Sequence, residues 1–110
     1  MTVEVIGLKG EAVLAGPHLV RVVFQLSAIP TPEWADVFIA MARELALNQN
    51  RGLRPGFRFS YRLDADTVQV NCPTASFTTP VNGKNTVAQA VIDLVANTNR
   101  SVITTLGLKD

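Results

Sequence analysis

The sequence has few of the residues that build catalytic, metal and disulfide sites. Its 110 residues include one cysteine, Cys72, and one histidine, His18. A single cysteine cannot form an internal disulfide, and no second thiol or nearby histidine accompanies it at the spacing of a zinc site. We therefore predict no metal, no cofactor and a reducing, cytoplasmic environment.

Charge and long apolar runs are also scarce. Charged residues make up 17 % of the chain, below the roughly 25 % usual for soluble domains, and the formal net charge is only +1. Arg21 and Gln25 interrupt the most apolar stretch, residues 19–29, so no run approaches the ~20 residues that span a bilayer. These features exclude a membrane span. They predict apolar surface outside the core, which favours a protein partner or self-association.

The residue types that could carry catalysis are dispersed along the sequence. His18 follows Gly16-Pro17 at the start of a predicted strand, Cys72 falls on an inward strand face, and a β-turn accounts for Asp64 and Asp66. A hydrolytic site needs a nucleophile, a base and an orienting group held together, and this spacing assembles none. We predict no catalytic residues, and an enzyme built from residues distant in sequence is the second alternative.

The N-terminal third indicates β-structure within one domain that covers residues 1–110. Short β-prone runs at 2–8 and 11–15 flank Lys9 and Gly10, which predicts a hairpin with a tight turn there. Residues 18–28 alternate apolar and polar side chains, which predicts a strand with one face in the core. Its core face is expected to carry Val20, Val22, Phe24 and Leu26, and its outer face Arg21, Val23, Gln25 and Ser27.

Two helices are predicted from their caps and apolar spacing. Thr31 is the expected N-cap of the first, with Pro32 at the first helical position, and the helix is expected to end near residues 48–52. Trp34 has two interpretations, packing inward over a strand end or remaining exposed as an anchor for a partner. The second helix is expected to begin at Asn85 as N-cap and to stop at Gly107.

A second hairpin completes the predicted fold. Strands at 57–63 and 66–72 are joined at Asp64 and Ala65, and this register places Tyr61 opposite Val68 on the inner face. The order β-β-β-α-β-β-α, with half-apolar strands, predicts an α+β fold: an antiparallel or mixed sheet with two α-helices on one face. The other sheet face would be open.

Aromatic and basic residues alternate over positions 54–62, as in some RNA-reading strands. Gly56-Phe57-Arg58-Phe59 matches part of the RNA-recognition-motif signature, in which aromatic rings stack on bases from the open face. That orientation would bury Arg58 and Arg62 at several kcal/mol each, whereas turning the aromatic rings inward gains about 1.5–3 kcal/mol for each ring. The aromatic side chains are therefore expected in the core.

The arginines of this region remain as an exposed basic patch. Arg51, Arg54, Arg58 and Arg62 lie within twelve residues that contain no carboxylate, and Arg21 joins them if its strand is a neighbour. Such a patch contacts phosphates, an acidic protein surface or an anionic ligand, or else it is an ordinary solvated sheet face or is paired with Asp64 and Asp66. The sequence favours a small non-enzymatic interaction module that uses the open sheet face or surplus apolar surface. Nucleic-acid or anion binding is the first alternative.

Overall fold

A computed structural model describes residues 2–105. The predicted helix stop at Gly107 lies outside these residues. The elements are β1 (Val5–Leu8), β2 (Val13–Gly16), β3 (Leu19–Leu26), α1 (Pro32–Gln49), a 3-10 turn (Pro55–Phe57), β4 (Ser60–Asp64), β5 (Thr67–Pro73), α2 (Thr74–Thr78) and α3 (Thr86–Thr105).

The five strands form one antiparallel sheet in the order β1-β3-β5-β4, with β2 also paired to β3. The long helices α1 and α3 pack against each other, and their apolar residues share a core with the inner faces of β3 and β5. This arrangement confirms the predicted α+β fold. The short helix α2 lies in a segment that the sequence predicted to be a loop.

The hairpin predicted around Lys9 and Gly10 is wrong. Both β1 and β2 run antiparallel to β3, so they follow each other in the same direction along one edge. The Lys9 N–H still donates to the Val23 carbonyl at 2.8 Å, and residues 9–12 then bulge opposite only residues 22 and 23 of β3. Gly10 takes a φ of +77° in this bulge, a conformation that glycine adopts without strain. The hairpin lies instead between β2 and β3.

The second hairpin exists, but its register differs from the prediction by two residues. Tyr61 lies opposite Val70 and Leu63 opposite Val68, and the turn is at Ala65 and Asp66. A shift of two residues preserves the side-chain faces, because side chains alternate with a period of two. Phe57 is not in the strand; it belongs to the 3-10 turn and stacks on His18 with ring centroids 4.6 Å apart.

The predicted core alternation and both helix starts are confirmed. The four inward residues of β3 are buried, as are Val68, Val70 and Cys72 of β5. Thr31 Oγ1 accepts a hydrogen bond from the Trp34 N–H and caps α1. Asn85 Oδ1 accepts from the backbone N–H groups of Val87 and Ala88 and caps α3.

Trp34 packs inward, so its role as an exposed partner anchor is wrong. The side chain is fully buried and stacks on Phe38 at 5.3 Å between ring centroids. Its Nε1–H donates to Asn99 Oδ1 at 2.7 Å, and the same amide binds the backbone N–H and carbonyl of Val3 at 3.1 and 2.8 Å. Asn99 therefore ties the N-terminal segment, α1 and α3 together.

Candidate functional site

Two of the predicted patch arginines lie on the open face of the sheet. Arg21 on β3 is opposite Asn71 on β5, and its Nε donates to Asn71 Oδ1 at 3.3 Å. Arg62 on β4 is opposite Gln69 of β5. Their backbones are roughly 12 Å apart, because β3 and β4 are two spacings of about 4.8 Å apart and the two arginines are offset by two residues along β5.

The other three arginines belong to the segment that connects α1 to β4. Arg51, Arg54 and Arg58 are all exposed, and Arg58 Nε donates to the Leu53 carbonyl at 3.4 Å. Asn50 holds this segment, because its side chain accepts from the Phe59 N–H at 2.6 Å and donates to the Phe59 carbonyl at 3.0 Å. The five predicted arginines therefore extend from the open face around the end of β4.

Asp66, one of the two predicted carboxylate partners of the patch, is occupied elsewhere. Its Oδ2 accepts a hydrogen bond from Gln25 Nε2 at 2.8 Å, and the same nitrogen donates to the Asp66 carbonyl at 3.0 Å. Asp64 is exposed at the far end of β4 from Arg58. The basic charge of the connecting segment is thus not neutralised by Asp66.

The surplus apolar surface is concentrated along β1 and β2. Four large side chains here are between 53 % and 79 % exposed. We call this set the apolar edge: Ile6, Leu8, Val13 and Leu14. Val13 lies opposite Arg21 and Leu14 opposite Val20, so the edge is apolar on both faces of the sheet. Val23, which was expected to lie outside the core, is half-buried on the open face.

Four grooves open on the surface of the described residues, the fourth of them being a groove of about 320 Å³ beside Val3 and Asn99. The largest, about 440 Å³, lies between α1 and α3 over Met41, Leu45 and Leu94, with Glu44 and Asp93 on opposite walls. A second, of about 380 Å³, borders the stacked rings of His18 and Phe57. The third, of about 250 Å³, separates α1 from β4 and is lined by Phe38, Ile39, Ala42, Arg43, Ala46, Phe59, Ser60, Tyr61 and Leu63.

His18, Cys72 and Tyr61 lie in different surroundings. His18 stacks on Phe57, while Cys72 is buried opposite Val20, and burial raises the pKa of its thiol to about 11. Burial also raises the pKa of Tyr61 to about 12, although its hydroxyl donates to Gln49 Oε1 at 2.7 Å. Within residues 2–105, no three His, Cys, Asp or Glu side chains are grouped to hold a metal ion.

Comparison with protein-family models, with curated proteins and with solved structures finds no match to this chain. No helix within the described part of the chain is both long and apolar enough to cross a membrane. The function is therefore inferred from the surfaces described above.

Proposed function

We propose that the protein is a small, non-enzymatic, cytoplasmic interaction module that binds a protein partner, in the first place a second copy of itself, through the apolar edge. The observation that carries this proposal is the clustering of four exposed, large apolar side chains on one edge of a single sheet. The low charged fraction of 17 % and the lone cysteine agree with a protein-binding role in a reducing compartment.

The size of the apolar edge sets the expected affinity. The four side chains of the apolar edge are between one half and four fifths exposed. Covering them gains about 1–2 kcal/mol for each side chain, or about 4–8 kcal/mol in all. Association costs about 4–15 kcal/mol in lost motion and ordering. The apolar edge alone therefore supports only weak self-association, and a tight dimer would also need the open sheet face.

The test is sedimentation velocity from about 1 µM to about 1 mM, which brackets weak dimers. The apparent mass of the parent protein should rise with concentration. In the double variant Ile6→Ser/Leu14→Ser, the same rise in apparent mass should require a higher protein concentration. Leu47→Ser is the matched control, since Leu47 on α1 is 72 % exposed but lies outside the edge. A monomer throughout this range contradicts the proposal.

Anion or nucleic-acid binding is the second candidate, favoured by five exposed arginines beside one another on β3, β4 and the preceding segment. Titration with generic RNA and DNA should then show affinity that falls steeply with salt. Arg58→Ala or Arg62→Ala should each lower the slope of log K against log salt by about one. Absence of binding at low salt ends this candidate.

A further inference from the structure

The two edges of the sheet differ in their ability to accept another strand. β4 pairs with β5 from Ser60 to Asp64 in a constant register, and no other strand of residues 2–105 covers its outer side. A free edge strand directs every second pair of N–H and C=O groups away from the sheet. The β1 and β2 edge has register shifts in both strands and the bulge at residues 9–12, which interrupt such a row. β4 is therefore the edge suited to backbone pairing.

The groove between α1 and β4 runs beside this free edge. Its floor is apolar, with Phe38 buried and Phe59 and Leu63 half-buried, and Ile39 is partly exposed at its side. A strand added outside β4 would direct alternate side chains toward the helix side, where this groove of about 250 Å³ lies. The groove is large enough for apolar side chains of such a strand.

The charges beside β4 favour an acidic partner. Arg43 is the only charged residue among those that line the groove, and it is exposed on α1. On the opposite face of β4, Arg62 is exposed within the strand and Arg58 is exposed just before it, and Asp64 is an exposed carboxylate on the same face at the end of the strand. Opposite charges on neighbouring strands attract, and carboxylates pair well with guanidinium groups. An added strand would thus have Arg43 beside its groove face, and two arginines and one carboxylate, Arg58, Arg62 and Asp64, beside its other face.

We infer that β4 and the groove beside it bind an extended segment of a partner protein in which glutamate or aspartate alternates with apolar residues. The segment adds to the sheet as a further strand, its apolar side chains enter the groove, and its carboxylates lie next to Arg62 and Arg58. Main-chain bonds would give this complex affinity and the groove would give it selectivity. The site does not involve the apolar edge, so this inference can fail without contradicting the proposed self-association, and the reverse is also true.

The first experiment compares two end-blocked, fluorescently labelled peptides by polarisation: Glu-Val-Glu-Leu-Glu-Val and Lys-Val-Lys-Leu-Lys-Val. We expect the acidic peptide to bind at least about tenfold more tightly, and N-methylation of its alternate backbone amides to abolish binding. Equal binding of the acidic and basic peptides, or binding that survives N-methylation, overturns the inference. So does the absence of binding.

The second experiment locates the site. Ala46→Trp fills the groove and should weaken acidic-peptide binding by at least about tenfold. Ala40→Trp makes the same change at an exposed position of α1 outside the groove and should leave binding unchanged. Arg62 is exposed, so Arg62→Glu needs no repacking of the core, and it should also weaken acidic-peptide binding. If these variants bind like the parent, or if Ala40→Trp weakens binding as much as Ala46→Trp, the site is not this groove.

Discussion

Replacing Asn99 of α3 with alanine removes a side chain that is hydrogen-bonded both to the N-terminal segment and to α1. The Asn99 amide accepts from the Trp34 Nε1–H and from the Val3 N–H, and it donates to the Val3 carbonyl. Trp34 and Val3 are both fully buried. The substitution therefore leaves three polar groups without their partner in or beside the core.

The expected loss follows from these three groups. An unsatisfied buried donor or acceptor costs about 1–3 kcal/mol, which gives an upper limit of about 9 kcal/mol. A groove of about 320 Å³ borders Val3 and Asn99, so water can reach the Val3 backbone and reduce the cost there. We expect Asn99→Ala to lower the free energy of unfolding by about 2–4 kcal/mol, a large part of the about 5–15 kcal/mol typical of a domain.

Urea unfolding followed by tryptophan fluorescence measures this loss directly, because Trp34 is the only tryptophan. Asn97→Ala is the control, because Asn97 is on the same helix and accepts a hydrogen bond from Arg100 at the surface. This substitution should lower the free energy of unfolding by less than about 0.5 kcal/mol. A double-mutant cycle with Trp34→Phe, followed by circular dichroism because this variant has no tryptophan, should give a coupling of about 1–2 kcal/mol between Trp34 and Asn99. Equal losses in Asn99→Ala and Asn97→Ala would refute the reasoning.

Further predictions concern pH, thiol access and the β4–β5 turn. Folding raises the pKa of Cys72 from 9.0 to about 11 and that of Tyr61 from 10.0 to about 12, so the folded state holds these protons more tightly. Stability should hold below pH ~9 and fall as pH rises toward ~12, and Tyr61→Phe should flatten this fall in urea titrations. The Cys72 thiol should react with a disulfide reagent at neutral pH only as fast as the protein opens. Ala65 has a φ of +51°, so Ala65→Gly should raise the thermal midpoint, with a gain of about 0.5–1 kcal/mol, and Ala65→Val should lower it.

The alternation of side chains predicted which faces are buried, but it could not determine register. Tyr61 is turned to the core side in either register, because a shift of two residues leaves every side chain on its original face. The position of the turn decides between the two registers. In the observed turn Ala65 is in the left-handed region, which alanine rarely adopts. The local sequence therefore carried no signal for the observed register.

The wrong prediction of a hairpin around Lys9 and Gly10 has a related cause. Lys9-Gly10 and Gly16-Pro17 both resemble turns, and only the pairing partner of each strand distinguishes a bulge from a hairpin. At Gly10 the chain stays beside β3 and inserts extra residues. At Pro17 and His18 it reverses. Pairing with β3 determines which of the two sites is a bulge and which is a turn, and the alternation of apolar and polar residues carries no information about this pairing.

The candidate sites were only partly predictable for the same reason. Arg21, Arg58 and Arg62 follow from strand alternation, and all three are exposed. Arg43 has no such signal: it is one exposed position on an amphipathic helix, and its importance arises only because α1 lies against β4. Trp34 was ambiguous until Asn99, sixty-five residues away, supplied its hydrogen-bond acceptor.

A sheet edge associates freely when it is both apolar and regular, and each edge of this sheet has only one of these two properties. The β1 and β2 edge is apolar but irregular, whereas the β4 edge is regular but carries arginines. An edge that is both apolar and regular invites uncontrolled strand pairing, and neither edge here has both properties. The apolar edge is thus suited to a partner that covers side chains, and β4 to a charged partner that pairs through its backbone. Because β3 and β5 separate the edges by about 14 Å, three strand spacings, one partner need not displace the other.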